Sequence, residues 1–190
     1  MASQSVREPV RHLLTIHEFH RMGEAGILGD DDRIELIEGE LIDMAPIGSH
    51  HAGTVIRLTS LFNRALAGRA ILSPQNPVVL ADRSELQPDI AILRNRADYY
   101  TDSHPAPEDV ILLVEIADTT LSYDRDIKIP LYGRHGIPEA WLMDLNAQSL
   151  EVHRRPTVRG FRELLRPEDS ESVTLARLPD VSITVADLWV

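Results

Sequence analysis

The chain has 190 residues, 43% hydrophobic and 26% charged, the profile of one soluble globular domain of ordinary size. It has no cysteine, which excludes disulfides, thiol nucleophiles and cysteine-based metal clusters. Nineteen Lys and Arg against 30 Asp and Glu leave a net charge of −11, the wrong sign for a protein that coats nucleic acid by bulk attraction.

Residues Met1 to about Arg11 read as a loose arm without the apolar core of a signal peptide. No apolar run approaches the roughly 20 residues of a membrane helix, so the expected location is the cytoplasm. Thr15 followed three residues later by Glu18 is a capping-box signal opening a helix from about Ile16 to Ala25. Gly29–Asp32 is a polar turn. Arg33–Glu38 and Glu40–Met44 alternate apolar and charged residues around Gly39, the pattern of a hairpin. Val55, Leu58, Leu61, Phe62, Ala65 and Leu66 recur at helical spacing, which predicts an amphipathic helix from His50 to Leu66.

Short strands are expected near Ala70–Leu72 and Pro77–Leu80, then Asp89–Leu93 after Pro88. Val110–Ala117 is apolar on both faces, as a central strand would be. Asp124 or Asp126 is expected to cap a helix running to about His135, with Pro130 in its first turn and Gly136 and Pro138 ending it. Ala140–Leu145, Leu150–Arg155, Phe161–Arg166 and Val173–Ala176 read as strands, and Val185–Val190 as a last strand or helical turn. This order implies an α/β or α+β fold around one mixed sheet, in a single domain spanning 1–190.

Chemistry concentrates at two of these strands. Asp89 opens one, and Glu115 ends the apolar run of the other. Side chains alternate along strands, so both carboxylates can emerge together at one end of the sheet. A carboxylate in such a strand needs a partner, and a hard divalent cation is one. Thirteen residues after Glu115 stands Lys128, the only lysine beside 18 arginines. Two acids and a lysine at strand ends suit phosphodiester hydrolysis. The acids hold an ion that polarises the phosphate and lowers the pKa of a water, and the lysine orients or helps deprotonate that water, or steadies developing charge.

The segments LQPDIAIL, LLVEIAD and SYDRDIKIPLYGRHGIPEAWLMDL resemble the PD-(D/E)xK nuclease superfamily, more narrowly its Uma-type bacterial endonucleases. RIELIEGELIDMAP followed by SHHAG resembles that family's amino-terminal signature, and the resemblance spans about residues 13–145. It implies a restriction-endonuclease-like fold: a mixed central sheet flanked by helices, with an amino-terminal helix and hairpin and carboxy-terminal strands. It implies Asp89 and Glu115 as ligands to Mg²⁺ or Mn²⁺, with Lys128 on the following helix. The superfamily's usual lysine position, two residues after the glutamate, is Ala117 here. Glu35 matches a third acid, His51 a family histidine, and Tyr123, Asp124 and Arg125 its Tyr-Asp-Arg. The expected catalytic set is therefore Asp89, Glu115, Lys128, Glu35 and His51. Tyr123, Arg125, Arg154 and Arg155 are weaker candidates for contact with a DNA substrate.

Other readings stand beside these. Glu35 sits among Arg33, Glu38 and Glu40, which could form only a solvated hairpin face. The group His12, His17 and His20 could suggest zinc, since residues i and i+3 share a helix face, but it lacks a fourth ligand. Asp30–Asp32 lacks the calcium-loop pattern. The arginines from Arg154 to Arg166 fit a solvated hairpin as well as a phosphate-contacting one. A homodimer would suit cutting of two strands. A non-catalytic module of the same fold, binding nucleic acid, a nucleotide or a protein partner, is the alternative function.

Overall fold

The computed structural model describes residues 10–29 and 31–189, so most of the expected amino-terminal arm and Asp30 lie outside the described residues. Helix α1 (Ile16–Glu24) opens on Thr15, whose hydroxyl accepts from the Glu18 N–H at 3.3 Å while Glu18 accepts from the Thr15 N–H at 2.8 Å. Strands β1 (Ile34–Ile37) and β2 (Glu40–Asp43) form the expected hairpin. Its turn residues Glu38 and Gly39 have φ of 49° and 88°, the paired left-handed geometry that suits the twist of two strands. A Cβ on Gly39 would also stand 2.6 Å from that of Leu13.

Helix α2 (Ser49–Leu66) leads to β3 (Ile71–Pro74), β4 (Val78–Ala81), β5 (Ser84–Leu86), β6 (Ile90–Leu93) and β7 (Val110–Ala117). Strand β5 was not expected. It is only three residues long and pairs with β1 and β4 in an antiparallel sheet ordered β2-β1-β5-β4.

The chain leaves β7 through a continuous helical segment: α3 (Leu121–Tyr123), a π-helical turn at Asp124–Lys128, and α4 (Ile129–Arg134). Neither Asp124 nor Asp126 caps it. The helix starts earlier, and the Thr120 hydroxyl donates to the Asp124 carboxylate at 2.6 Å. Pro130 therefore lies well inside the segment, directly after the widened turn. Strands β8 (Glu139–Asp144), β9 (Ser149–Thr157) and β10 (Gly160–Leu165) follow. The described chain ends with the hairpin β11 (Ser172–Leu175) and β12 (Leu178–Thr184), then a 3₁₀ turn at Val185–Leu188.

The central sheet runs β10-β9-β8-β7-β6-β3, with β7 and β8 parallel and every other pair antiparallel. Alternation sorts its side chains to two cores. Leu112, Val114, Ile116, Trp141 and Met143 face α2 and the β11–β12 hairpin, meeting Leu58, Phe62, Leu175 and Ile183. Leu113, Ala117, Ala140 and Leu142 face the other way, onto Ile129, Leu131 and Tyr132 of α4 and Leu86 of the smaller sheet. Glu115 falls between Leu113 and Ala117 on this second face, which places the site. Among the described residues no helix is long and apolar enough to cross a membrane.

Candidate active site

The register Ile90↔Val114 of β6 and β7, carried one residue further, sets Asp89 opposite Glu115. Directly opposed residues point to the same face, so the two acids of the sequence motif emerge together. Asp89 is fixed by two donors: the Ile116 N–H reaches Oδ2 at 2.8 Å, and His51 Nε2 lies 3.0 Å from Oδ1. His51 stands in the first turn of α2, so that turn brings the imidazole to the carboxylate.

Glu115 is 3% exposed and receives a short hydrogen bond from the Tyr132 hydroxyl of α4. Lys128 closes the group. Its Nζ lies 2.9 Å from Glu35 Oε1 and 3.4 Å from Glu115 Oε1. Glu35 comes from β1 and also accepts from the Gln87 N–H at 2.8 Å. Lys128 thus reaches Glu115 from the helical segment and not from β7 itself. Ala117, which holds the usual position, is instead buried in the core.

The electrostatics follow from burying acids around one ammonium. Burial pushes the Glu115 carboxyl well above its ordinary range. Lys128 opposes that push, while Asp124, Asp89 and Glu35 add to it. Burial would depress Lys128, but Glu115, Glu35 and Asp124 outweigh it, and the amine is held above its ordinary value as a cation. Asp124 is raised by burial, partly offset by its bond from Thr120. The hydrogen bond to Asp89 raises His51 against the opposing effect of burial. Tyr132 is raised mainly by burial, then by Glu115, so it remains a donor.

All of these groups but Tyr132 line a cavity of about 630 Å³. Glu35, His51, Tyr123, Asp89, Glu115 and Lys128 all lie on its wall, with Arg33, Asp118 and Asp124. The other candidates lie elsewhere. Arg125 turns to Glu151, with Nε 3.3 Å from its carboxylate. Arg154 sits opposite Glu139, on the face of the sheet turned away from Glu115, and its Nη2 lies 2.9 Å from that buried acid. Arg155 is exposed at the far end of β9 beside Glu163.

His12, which precedes α1, pairs with Glu18 at 3.3 Å, and His20 pairs with Glu85 at 2.7 Å, so these imidazoles turn to different acids. Sequence reasoning passed over Tyr132, because an aromatic residue on an amphipathic helix carries no mark beyond that of a core residue.

Among the described residues no three His, Asp or Glu side chains are gathered into a full ligand set. Mg²⁺ does not need one, since it keeps several waters and takes one or two carboxylates. The donor chemistry fits such an ion. Among the described residues six acids line the cavity (Glu35, Asp43, Asp89, Glu115, Asp118 and Asp124), against Lys128, Arg33 and the His51 imidazole.

A family model described as "Uma2: Putative restriction endonuclease" matches residues 16–186. The chain belongs to the Uma2 family. The Uma2 chain also resembles a solved structure titled "Crystal structure of a putative nuclease belonging to DUF820 from Anabaena variabilis ATCC 29413". The two share 19% identity over 93% of this chain and 97% of that one, with a TM-score of 0.71. At that identity the likeness is one of fold. No curated protein matches the chain.

Proposed function

We infer that this Uma2 chain is a divalent-metal-dependent endonuclease that hydrolyses phosphodiester bonds in DNA. The observation that carries the reading is the meeting of Asp89, Glu115 and Lys128 on one cavity wall, with Nζ 3.4 Å from Glu115. Membership of a family described as a restriction endonuclease supports the same direction.

Asp89 and Glu115 would hold Mg²⁺ or Mn²⁺. Such an ion, when bound, polarises the phosphate and lowers the pKa of a water. The chain supplies the rest. The Ile116 N–H and His51 hold the Asp89 carboxylate at a fixed angle, and Tyr132 does the same for Glu115. Glu35 anchors the ammonium of Lys128 at 2.9 Å. Set between two carboxylates, Lys128 keeps its proton. Its role is to steady negative charge building on a phosphoryl oxygen, and it does not serve as the base.

A plasmid-nicking assay with Mg²⁺ or Mn²⁺ tests this. Wild type nicks and EDTA stops it, while Asp89→Ala and Lys128→Ala are slower by about 100-fold or more, the scale of losing a preorganised charge at a reacting centre. Equal nicking by all three proteins contradicts the mechanism, and a wild type that leaves DNA intact contradicts the activity.

A further inference from the structure

Resting on the nuclease reading, a further residue can be assigned to the same cavity. Arg33 immediately precedes β1, two residues before Glu35, and both line the cavity. Its backbone is tied into the hairpin, since the Met44 N–H donates to the Arg33 carbonyl at 2.8 Å. Its guanidinium is tied as well: Nη1 donates to the Ala45 carbonyl at 2.7 Å, fixing the half-buried side chain against the loop between β2 and α2. Among the described residues the guanidinium makes no ion pair and no other hydrogen bond.

That is informative because of what surrounds it. Among the described residues six carboxylates line the cavity, and Arg33 is the only arginine on its wall. The other cation, Lys128, is 6% exposed and committed to Glu35 and Glu115, while His51 is committed to Asp89. An acidic wall repels a polyanion, and divalent charge placed deep between the carboxylates does little for the neighbouring phosphates of the same strand. A planar, permanently charged fork with most of its donors unused matches the non-bridging oxygens of a phosphodiester.

We propose that Arg33 is the residue that docks the substrate strand at the mouth of the cavity, taking the phosphate oxygens with the donors that Ala45 leaves unused. It positions the substrate and holds no metal. A contact made equally in ground and transition states acts on KM more than on kcat.

The test uses full-length wild type, Arg33→Gln and Arg33→Lys. Binding of labelled single-stranded and duplex oligonucleotides is followed by fluorescence anisotropy in Ca²⁺ across a salt series. Cleavage is measured in Mn²⁺, and Mn²⁺ affinity by calorimetry. Arg33→Gln should weaken binding and raise KM by roughly 10-fold, with a much smaller effect on kcat, as expected for one charge-assisted contact. Its slope of log K against log salt should shrink by about 0.7 to 0.9, the signature of one lost phosphate contact. Arg33→Lys should keep the slope and recover part of the affinity, and all three proteins should bind Mn²⁺ alike.

If wild type cuts and Arg33→Gln binds with unchanged affinity and slope, the assignment is overturned and the nuclease reading stands. If Arg33→Lys is as weak as Arg33→Gln and both melt early, the tether to Ala45 is the residue's role, and the assignment again falls. A wild type that neither binds nor cuts either oligonucleotide overturns both.

Discussion

Replacing Lys128 with methionine keeps the bulk of the side chain and removes its charge. The ammonium is 7% exposed at the side chain, and the carboxylates it joins, Glu35 and Glu115, are 2% and 4% exposed. This is a buried network, so the small values of surface ion pairs do not apply. Removing one partner strands two buried acids that already face Asp89 and Asp124. The cost of breaking such a pair is about 3–5 kcal/mol. For a chain of this size that lowers the melting temperature by roughly 6–20 °C, at about 2–4 °C per kcal/mol.

The sign with pH is also set. Burial raises the Glu115 carboxyl in the folded state, and loss of the cation that opposes this raises it further. A group whose folded-state pKa is raised destabilises the fold above that pKa, and the penalty fades as pH falls through it. The deficit of Lys128→Met should therefore shrink on acidification, and adding Glu115→Gln should recover part of it at neutral pH. Thermal melts of wild type, Lys128→Met and the double variant between pH 5 and pH 8 are the assay. A Lys128→Met protein that melts within about 2 °C of wild type at neutral pH would show that the ammonium does not hold these acids together, and the reasoning fails.

Tyr132→Phe removes only the hydroxyl that meets Glu115. It should cost about 1–3 kcal/mol of stability, since a buried carboxylate loses a donor, and lower Mn²⁺ affinity measured by calorimetry while Tyr132→Leu costs more stability; unchanged Mn²⁺ affinity in Tyr132→Phe would remove the positioning role. A Cβ on Gly133 would collide with the backbone of Gly160, whose Cα lies 2.7 Å from it. Gly133→Ala should therefore cost about 1–3 kcal/mol in a denaturant titration, and a neutral result would mean that α4 and β10 separate easily. Burial would raise Glu151, but hydrogen bonds from Arg166 and Arg125 outweigh it and hold the carboxyl below its ordinary 4.5. A depressed folded-state pKa gives stability that is full above the unfolded value and is lost as pH falls through the folded one. The melting advantage of wild type over Glu151→Gln should thus begin to shrink as pH falls below the ordinary 4.5 and vanish below the folded-state value, and an advantage that does not change with pH would show that the ion pairs do not stabilise the fold.

The acid pair was legible because its signal is strong and local. An apolar strand ended by Glu115, and a second strand opened by Asp89 after proline, leave little freedom in where the carboxylates emerge. The hairpin about Gly39 and the start of α1 were legible for similar reasons, since a left-handed turn and a capping box are written in single residues. Other features depend on partners distant in the chain. Strand β5 is defined by pairing with β1 and β4, and three residues carry no period of their own. The helical segment begins at Leu121 because of a hydroxyl–carboxylate contact and a widened turn, and the aspartates that look like caps lie inside it. Arg154 looks like a surface cation until register sets it opposite Glu139, an acid with no exposed surface that also accepts from Trp141 and the Ala176 N–H.

Asp89 and Glu115 are proposed to make a metal-dependent cutting site. Its most direct test is single-turnover cleavage of one labelled DNA across a Mn²⁺ titration, comparing wild type with Glu115→Gln, which preserves the shape of the buried side chain. Cleavage by wild type should rise and saturate with Mn²⁺. Glu115→Gln should remain folded, need far more metal and cut at least about 100-fold more slowly at saturation. Equal rates and equal Mn²⁺ midpoints in the two proteins would show that Glu115 holds no catalytic metal.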